Sequence, residues 1–124
     1  MKQIARATVA TTLAMFAGTA AFAQDAVKVD PKHYTVLVDN AQVRVLKIHY
    51  GPHETSVMHS HPNSVITYLS DANNSFLLAN GKTIKDVAKA GTAAPAPGGA
   101  HKPTNLSGKP MDAILVELKG GKGK

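Results

Sequence analysis

The chain has no cysteine and no tryptophan, and its 124 residues include only three tyrosines and three phenylalanines. Without cysteine it can form no disulfide and no thiolate metal site, and it cannot be a lipid-attached lipoprotein. Acidic residues are scarce as well, 8 against 14 Lys and Arg, for a formal charge of +6. Nucleic-acid binding calls for basic residues interleaved with stacking aromatics on one face. Past the N-terminal region only Tyr34, Tyr50, Tyr68 and Phe76 remain, and Lys119, Lys122 and Lys124 crowd a Gly-rich tail. The basic balance therefore reads as a solvated surface rather than a nucleic-acid patch. Long hydrophobic runs are missing too. The uncharged stretch Ala7 to Ala21, diluted by Thr11, Thr12 and Thr19, falls short of the roughly 20 apolar residues of a spanning helix.

That same stretch, preceded by Lys2 and Arg6 and followed by Ala21-Phe22-Ala23, has the layout of a cleavable secretory signal with an A-x-A exit. Residues 1–23 are accordingly expected to be removed. The working protein would begin at Gln24, be exported to the periplasm or secreted, and keep no membrane anchor. Cleavage also takes two charges off the formal +6. About 100 residues remain, enough for one domain with one core and too few for two.

Residues 24–33 read as a polar leader, residues 34–119 as the folded domain and residues 120–124 as a Gly/Lys tail. The domain is β throughout. Branched residues fill 35–38 and 43–48 on either side of an Asp39-Asn40 turn, and Gly51-Pro52 precedes a strand expected over 56–61. Further strands are expected at 65–69 and 76–79, around a polar turn Asp71-Ala72-Asn73-Asn74, and at 83–87 after the Asn80-Gly81 hairpin signal. Thr92 to Ala96, His101 to Leu106 and Met111 to Leu118 complete the set, with Tyr68, Phe76, Ile114, Val116 and Leu118 taken as core. Eight or nine short strands with regular turn signals predict an all-β antiparallel sandwich or barrel. No stretch of this region has sustained helical periodicity.

His59 and His61 stand at i and i+2 of an expected strand, so both imidazoles project from one face and two nitrogens can share an ion. About 40 residues on, counted along a strand-and-turn pattern of this kind, come Gly91, Pro97, Gly99, His101 and Asn105 in order. The two stretches together, Met58-His59-Ser60-His61-Pro62 after Gly51 and Gly91-x5-Pro97-Gly98-Gly99-Ala100-His101-x3-Asn105, resemble the two motifs of the cupin superfamily. The likeness runs from about Tyr34 to Leu118. The second motif is the more specific, because its glycines and proline fall in register with the histidine.

The resemblance implies a cupin-like jelly-roll barrel with His59, His61 and His101 at its mouth as metal ligands. Seven residues separate Gly51 from His59 where the family has five, and the glutamate that normally follows the H-x-H pair is replaced by Val65 or Ile66. A three-histidine site is what remains. Imidazole ligation suits iron, copper, nickel or zinc. Three neutral imidazoles leave an ion's charge uncancelled, which favours an anionic ligand. The alternative is a barrel whose histidines are merely packed, the lost glutamate marking lost metal.

Among the neighbours, His53 is either a substrate or supporting residue or a solvated loop histidine, and Asn105 either orients a ligand or satisfies a turn. Glu54 can be imagined swinging in as a substitute carboxylate, and Glu117 reads as solvent-facing. The functional expectation is an exported metal-binding cupin, a small non-haem oxygenase-like enzyme acting on an anionic small molecule. Its alternative is a non-catalytic periplasmic module that holds a small ligand or metal. Pairing of edge strands into a homodimer is expected by the same resemblance.

Overall fold

The computed structural model describes residues 24–120; the expected signal segment 1–23 and the last four residues of the tail lie outside it. Nine strands follow a four-residue helix α1 (Ala26–Val29). They are β1 (Tyr34–Asp39), β2 (Val43–Tyr50), β3 (His59–His61), β4 (Ser64–Tyr68), β5 (Ala72–Leu78), β6 (Thr83–Ala88), β7 (Ala93–Ala96), β8 (Gly99–Asn105) and β9 (Met111–Leu118). Every strand pair is antiparallel, in two sheets ordered β1-β2-β9-β4-β7 and β3-β8-β5-β6. Among the described residues no helix is long and apolar enough to cross a membrane.

Period-two alternation builds the core. In β2, Leu46, Ile48 and Tyr50 are buried while Lys47 and His49 face out, and Ala113 and Leu115 of β9 and Tyr68 of β4 join them from the same sheet. Burying a side chain such as Leu46 stabilises the fold by about 2 kcal/mol. The register of β9 is opposite to the sequence reading. Met111, Ala113, Leu115 and Glu117 face inward, whereas Leu118 is 47% exposed and Ile114 and Val116 are only partly covered. A strand with branched residues on both faces does not reveal its core side by hydrophobicity, and shifting by one residue exchanges the faces.

Three other expectations change. Residues 72–74 are not a turn but the first half of β5, since the Asn74 amide donates to Asp86 Oδ2 at 3.1 Å and can be buried at 2% exposure; the chain turns at 69–71 instead. The expected strand over 56–61 is regular only at 59–61, because residues 55–58 form a loop that spends its polar groups elsewhere, Ser56 N–H donating to the Pro103 carbonyl at 2.9 Å. Within residues 24–33, α1 packs with Ala26 fully buried, and the Ser60 N–H donates to the Gln24 carbonyl at 2.9 Å.

The second-motif glycines have a local reason. Gly98 N–H donates to Asn63 Oδ1 at 2.7 Å, and a Cβ there would lie 3.0 Å from the Asn63 nitrogen, so a side chain would push the β7–β8 turn off the end of β3. Gly99, at φ +152°, adopts backbone that other residues rarely do.

Asn105 is 1% exposed and wholly committed to loop backbone, donating to the carbonyls of Gly51 (3.1 Å) and Lys109 (2.8 Å) and accepting from Ser107 N–H (3.0 Å). Of its two sequence readings, the structure shows the turn-satisfying one. Asn105→Ala strands these buried groups and is expected to lower stability by about 3 kcal/mol. Urea unfolding measures that loss, while ligand or metal binding by the folded variant should stay at the wild-type level.

Candidate metal centre

β3 pairs with β8 so that His59 lies directly opposite His101 and His61 opposite Gly99. The i, i+2 spacing puts His59 and His61 on one face, and the cross-strand register adds His101 beside His59. Ring centroids are 4.8 Å apart for His59–His61, 4.9 Å for His59–His101 and 5.4 Å for His61–His101. One ligand nitrogen from each ring lies within 4.8 Å of the others. The three histidines singled out in the sequence are thus brought together.

Their hydrogen bonds decide which nitrogen faces the site. His59 Nδ1 is 2.8 Å from the Val57 carbonyl, which can only accept, so that nitrogen carries the proton. His61 Nδ1 is 2.7 Å from Glu117 Oε2 and likewise donates. In the neutral form of each ring the lone pair is then on Nε2. The Nε2 atoms of His59 and His101 are buried and have no hydrogen-bond partner among the described residues. Such atoms are costly unless an ion or ligand engages them. The donor set, neutral imidazoles backed by a carbonyl and a carboxylate, is what a divalent transition metal requires.

Burial keeps the His59 and His101 rings neutral. It pushes the His59 imidazole down to about 4, helped by the nearby His61 ring, and His101 down to about 3, helped by both other histidines. Glu117, read from the sequence as solvent-facing, is instead 2% exposed inside the barrel wall. Burial works to raise its carboxyl, but hydrogen bonds from His61 and from Arg44 Nε (2.6 Å to Oε1) outweigh that and hold it below the usual carboxylate range. It is the supporting carboxylate that sequence reasoning missed. Its signal in the sequence is its parity with Ala113 and Leu115, on the face opposite Ile114, Val116 and Leu118.

The other candidates are not in the site. His53 is exposed in the loop after β2, at φ +59°. Glu54 does not swing in: its carboxylate accepts from the Gly51 N–H at 2.5 Å and pairs with Lys32. Of the two residues standing in for the family's glutamate, Val65 faces outward at 41% exposure and Ile66 lines the interior.

That interior is a cavity of about 380 Å³ walled by Tyr34, Ile66, Tyr68, Phe76, Met111 and Leu115, with His61 and His101 on its lining. Its size and largely apolar wall suit a small molecule. A larger cleft, about 750 Å³, runs past Asp71, Asn73, Val87 and Lys89 and is lined by no histidine.

An antiparallel jelly roll with a three-histidine cluster at the cavity defines the class: this chain has the fold of the small cupin, or double-stranded β-helix, domains. It is similar to a cupin domain from Bordetella pertussis Tohama I, at 21% identity and TM-score 0.65, over 70% of this chain and 92% of that one. It is also similar to an uncharacterized conserved protein with a double-stranded β-helix domain from Klebsiella pneumoniae, at 27% identity and TM-score 0.57, over 73% and 78%. The polyketide cyclase RemF of Streptomyces resistomycificus shares the fold at 16% identity and TM-score 0.53, over 70% and 64%. No family model and no curated protein matches the sequence.

The histidine shifts fix a pH dependence for the metal-free protein. Because both rings bind protons more weakly folded than at the ordinary value of 6.5, the unfolded chain takes up more protons below it. Stability should be full above pH 6.5 and fall as the pH drops toward 4 and then 3, with Glu117 and Asp25 adding loss of the same sign below about 4.5. Urea midpoints measured across this range should show a shallower decline for His101→Leu than for wild type.

Proposed function

We propose that this protein is an exported metal-binding cupin, a small non-haem oxygenase-like enzyme that acts on an anionic small molecule through His59, His61 and His101. The observation that carries the reading is the pair of buried, unpartnered Nε2 atoms on His59 and His101, grouped with His61 beside a partly open cavity. Iron, copper, nickel or zinc suits such a donor set. When bound, the ion would supply Lewis acidity and, if redox-active, electron transfer to oxygen.

The chain's own residues set the rest. The three imidazoles supply lone pairs and no charge, so an anionic group on the ligand would offset the ion. Tyr34, Ile66, Phe76 and Leu115 enclose the ligand's apolar part and exclude water. That RemF, a cyclase, shares the fold supports a catalytic use of such a barrel only as a precedent for the architecture.

A second reading, a non-catalytic module holding a small ligand or metal, is favoured by one specific observation. The polar groups on the cavity wall are already engaged: Tyr34 and Tyr50 hydroxyls with each other at 2.6 Å, and Asp86 with the Tyr68 hydroxyl at 2.6 Å and the Asn74 amide. None of these is a free general base. Export, a homodimer and the absence of nucleic-acid partners complete the proposal, resting on the sequence features given above.

Metal analysis of protein purified from the periplasm should find a bound transition ion that His59→Ala loses by at least tenfold. Equal, near-zero metal in both would overturn the metal reading. Oxygen uptake by the iron-loaded protein, measured across thiol acids and diketones, should find at least one substrate. Metal bound without turnover on any of them would leave the second reading in place.

A further inference from the structure

The segment before the first strand is more deeply tied to the histidine cluster than a lead-in need be. Its backbone adds to the ligand strand itself: Gln24 O accepts from Ser60 N–H at 2.9 Å, and Asp25 bridges Ser60 in parallel fashion. β3 has only three residues and pairs with β8 on one side, so this contact covers its other edge.

Two chains of hydrogen bonds then run from carboxylates of the segment to the outer nitrogens of two of the histidines. Asp25 is gripped by both terminal nitrogens of Arg44, Nη1 to Oδ2 at 3.0 Å and Nη2 to Oδ1. Arg44 Nε donates to Glu117 Oε1 at 2.6 Å, and Glu117 Oε2 accepts from His61 Nδ1 at 2.7 Å. Asp30, 8% exposed, accepts at Oδ2 from His33 Nδ1 (2.7 Å) and from the Ser56 hydroxyl, whose oxygen, 3.2 Å from His59 Nδ1, is the second and longer acceptor of the proton that His59 shares with the Val57 carbonyl. His33 is itself locked, stacked on Tyr50 with centroids 4.2 Å apart.

We propose that residues 24–33 are a working part of the metal centre: Asp25 and Asp30 are positioning residues that act through Arg44–Glu117 and through Ser56 to orient the His61 and His59 imidazoles and to make their Nε2 atoms better donors. The inference rests on the metal reading of the preceding subsection. A carboxylate behind a ligating imidazole fixes its tautomer and ring plane and raises its basicity, and loss of such a partner typically weakens metal affinity 10–100-fold. A charge-assisted fork such as Arg44 on Asp25 transmits position as well as charge. His101 has no link of this kind to the segment among the described residues, so the effect is specific to two of the three ligands.

Cobalt(II) is the probe, because its visible absorption reports ligand geometry independently of any turnover. Wild type, Asp25→Asn, Asp30→Asn, Glu117→Gln and the conservative Asp25→Glu are titrated with the ion, and urea midpoints are taken without metal. Asp25→Asn and Asp30→Asn should each weaken binding about tenfold or more and shift the cobalt bands of the fully loaded, folded protein, Glu117→Gln should do so at least as strongly, and Asp25→Glu should restore much of the affinity. Wild-type affinity and an unchanged spectrum in the folded Asp25→Asn and Asp30→Asn variants would overturn this inference while leaving the metal reading intact. A purely structural role would lower the urea midpoint without moving the bands, and that also overturns it. Absence of cobalt binding by the wild type would remove both readings together.

Discussion

Glu117 is a carboxylate at 2% exposure in a strand flanked on both sides, and an ionised group survives there only if each oxygen is answered. One oxygen takes Arg44 Nε and the other takes His61 Nδ1. The cross-strand register of β2, β9 and β4 makes this possible, since Arg44 stands opposite Glu117 and Ser64 flanks it on the far side. Sliding β9 by one residue would place Val116 against His61 and send the carboxylate to solvent. Sheet register, the tautomer of His61 and the direction of its Nε2 are therefore one constraint.

The histidine cluster adds a second demand of the same kind. Burial drives the His59 and His101 imidazoles far below their ordinary titration range. Neutral rings with buried, unpartnered nitrogens are a poor way to fill a core, where an aliphatic side chain would cost nothing. The arrangement makes physical sense as a donor set, with the Val57 carbonyl and Glu117 consuming the outer protons and Gly98 allowing the second-motif turn to close against Pro62 and Asn63.

The absent first-motif carboxylate takes on a different meaning beside Glu117. Ile66 lines the interior and brings no charge to the cluster. A negative charge is still present one hydrogen bond behind His61, partly balanced by Arg44, which is in turn shared with Asp25. That charge stands behind the His61 ring rather than at the face the three histidines share.

The sequence by itself determined what depends on local pattern: the all-β class, most of the strands, the i, i+2 face shared by His59 and His61, and the second-motif register that led to His101. These follow from period-two geometry and turn chemistry, which neighbours along the chain encode. Tertiary structure alone decided which face of 111–118 is buried, because both faces of that strand are aliphatic. It also decided that Asn73 and Asn74 belong to a strand, since Asp86 is the partner that makes the buried amide affordable. The role of residues 24–33 was illegible for the same reason. Asp25 and Asp30 are ordinary polar residues until folding brings Arg44, Ser56 and Ser60 against them from 19, 26 and more positions away, and no local pattern records a partner at that distance.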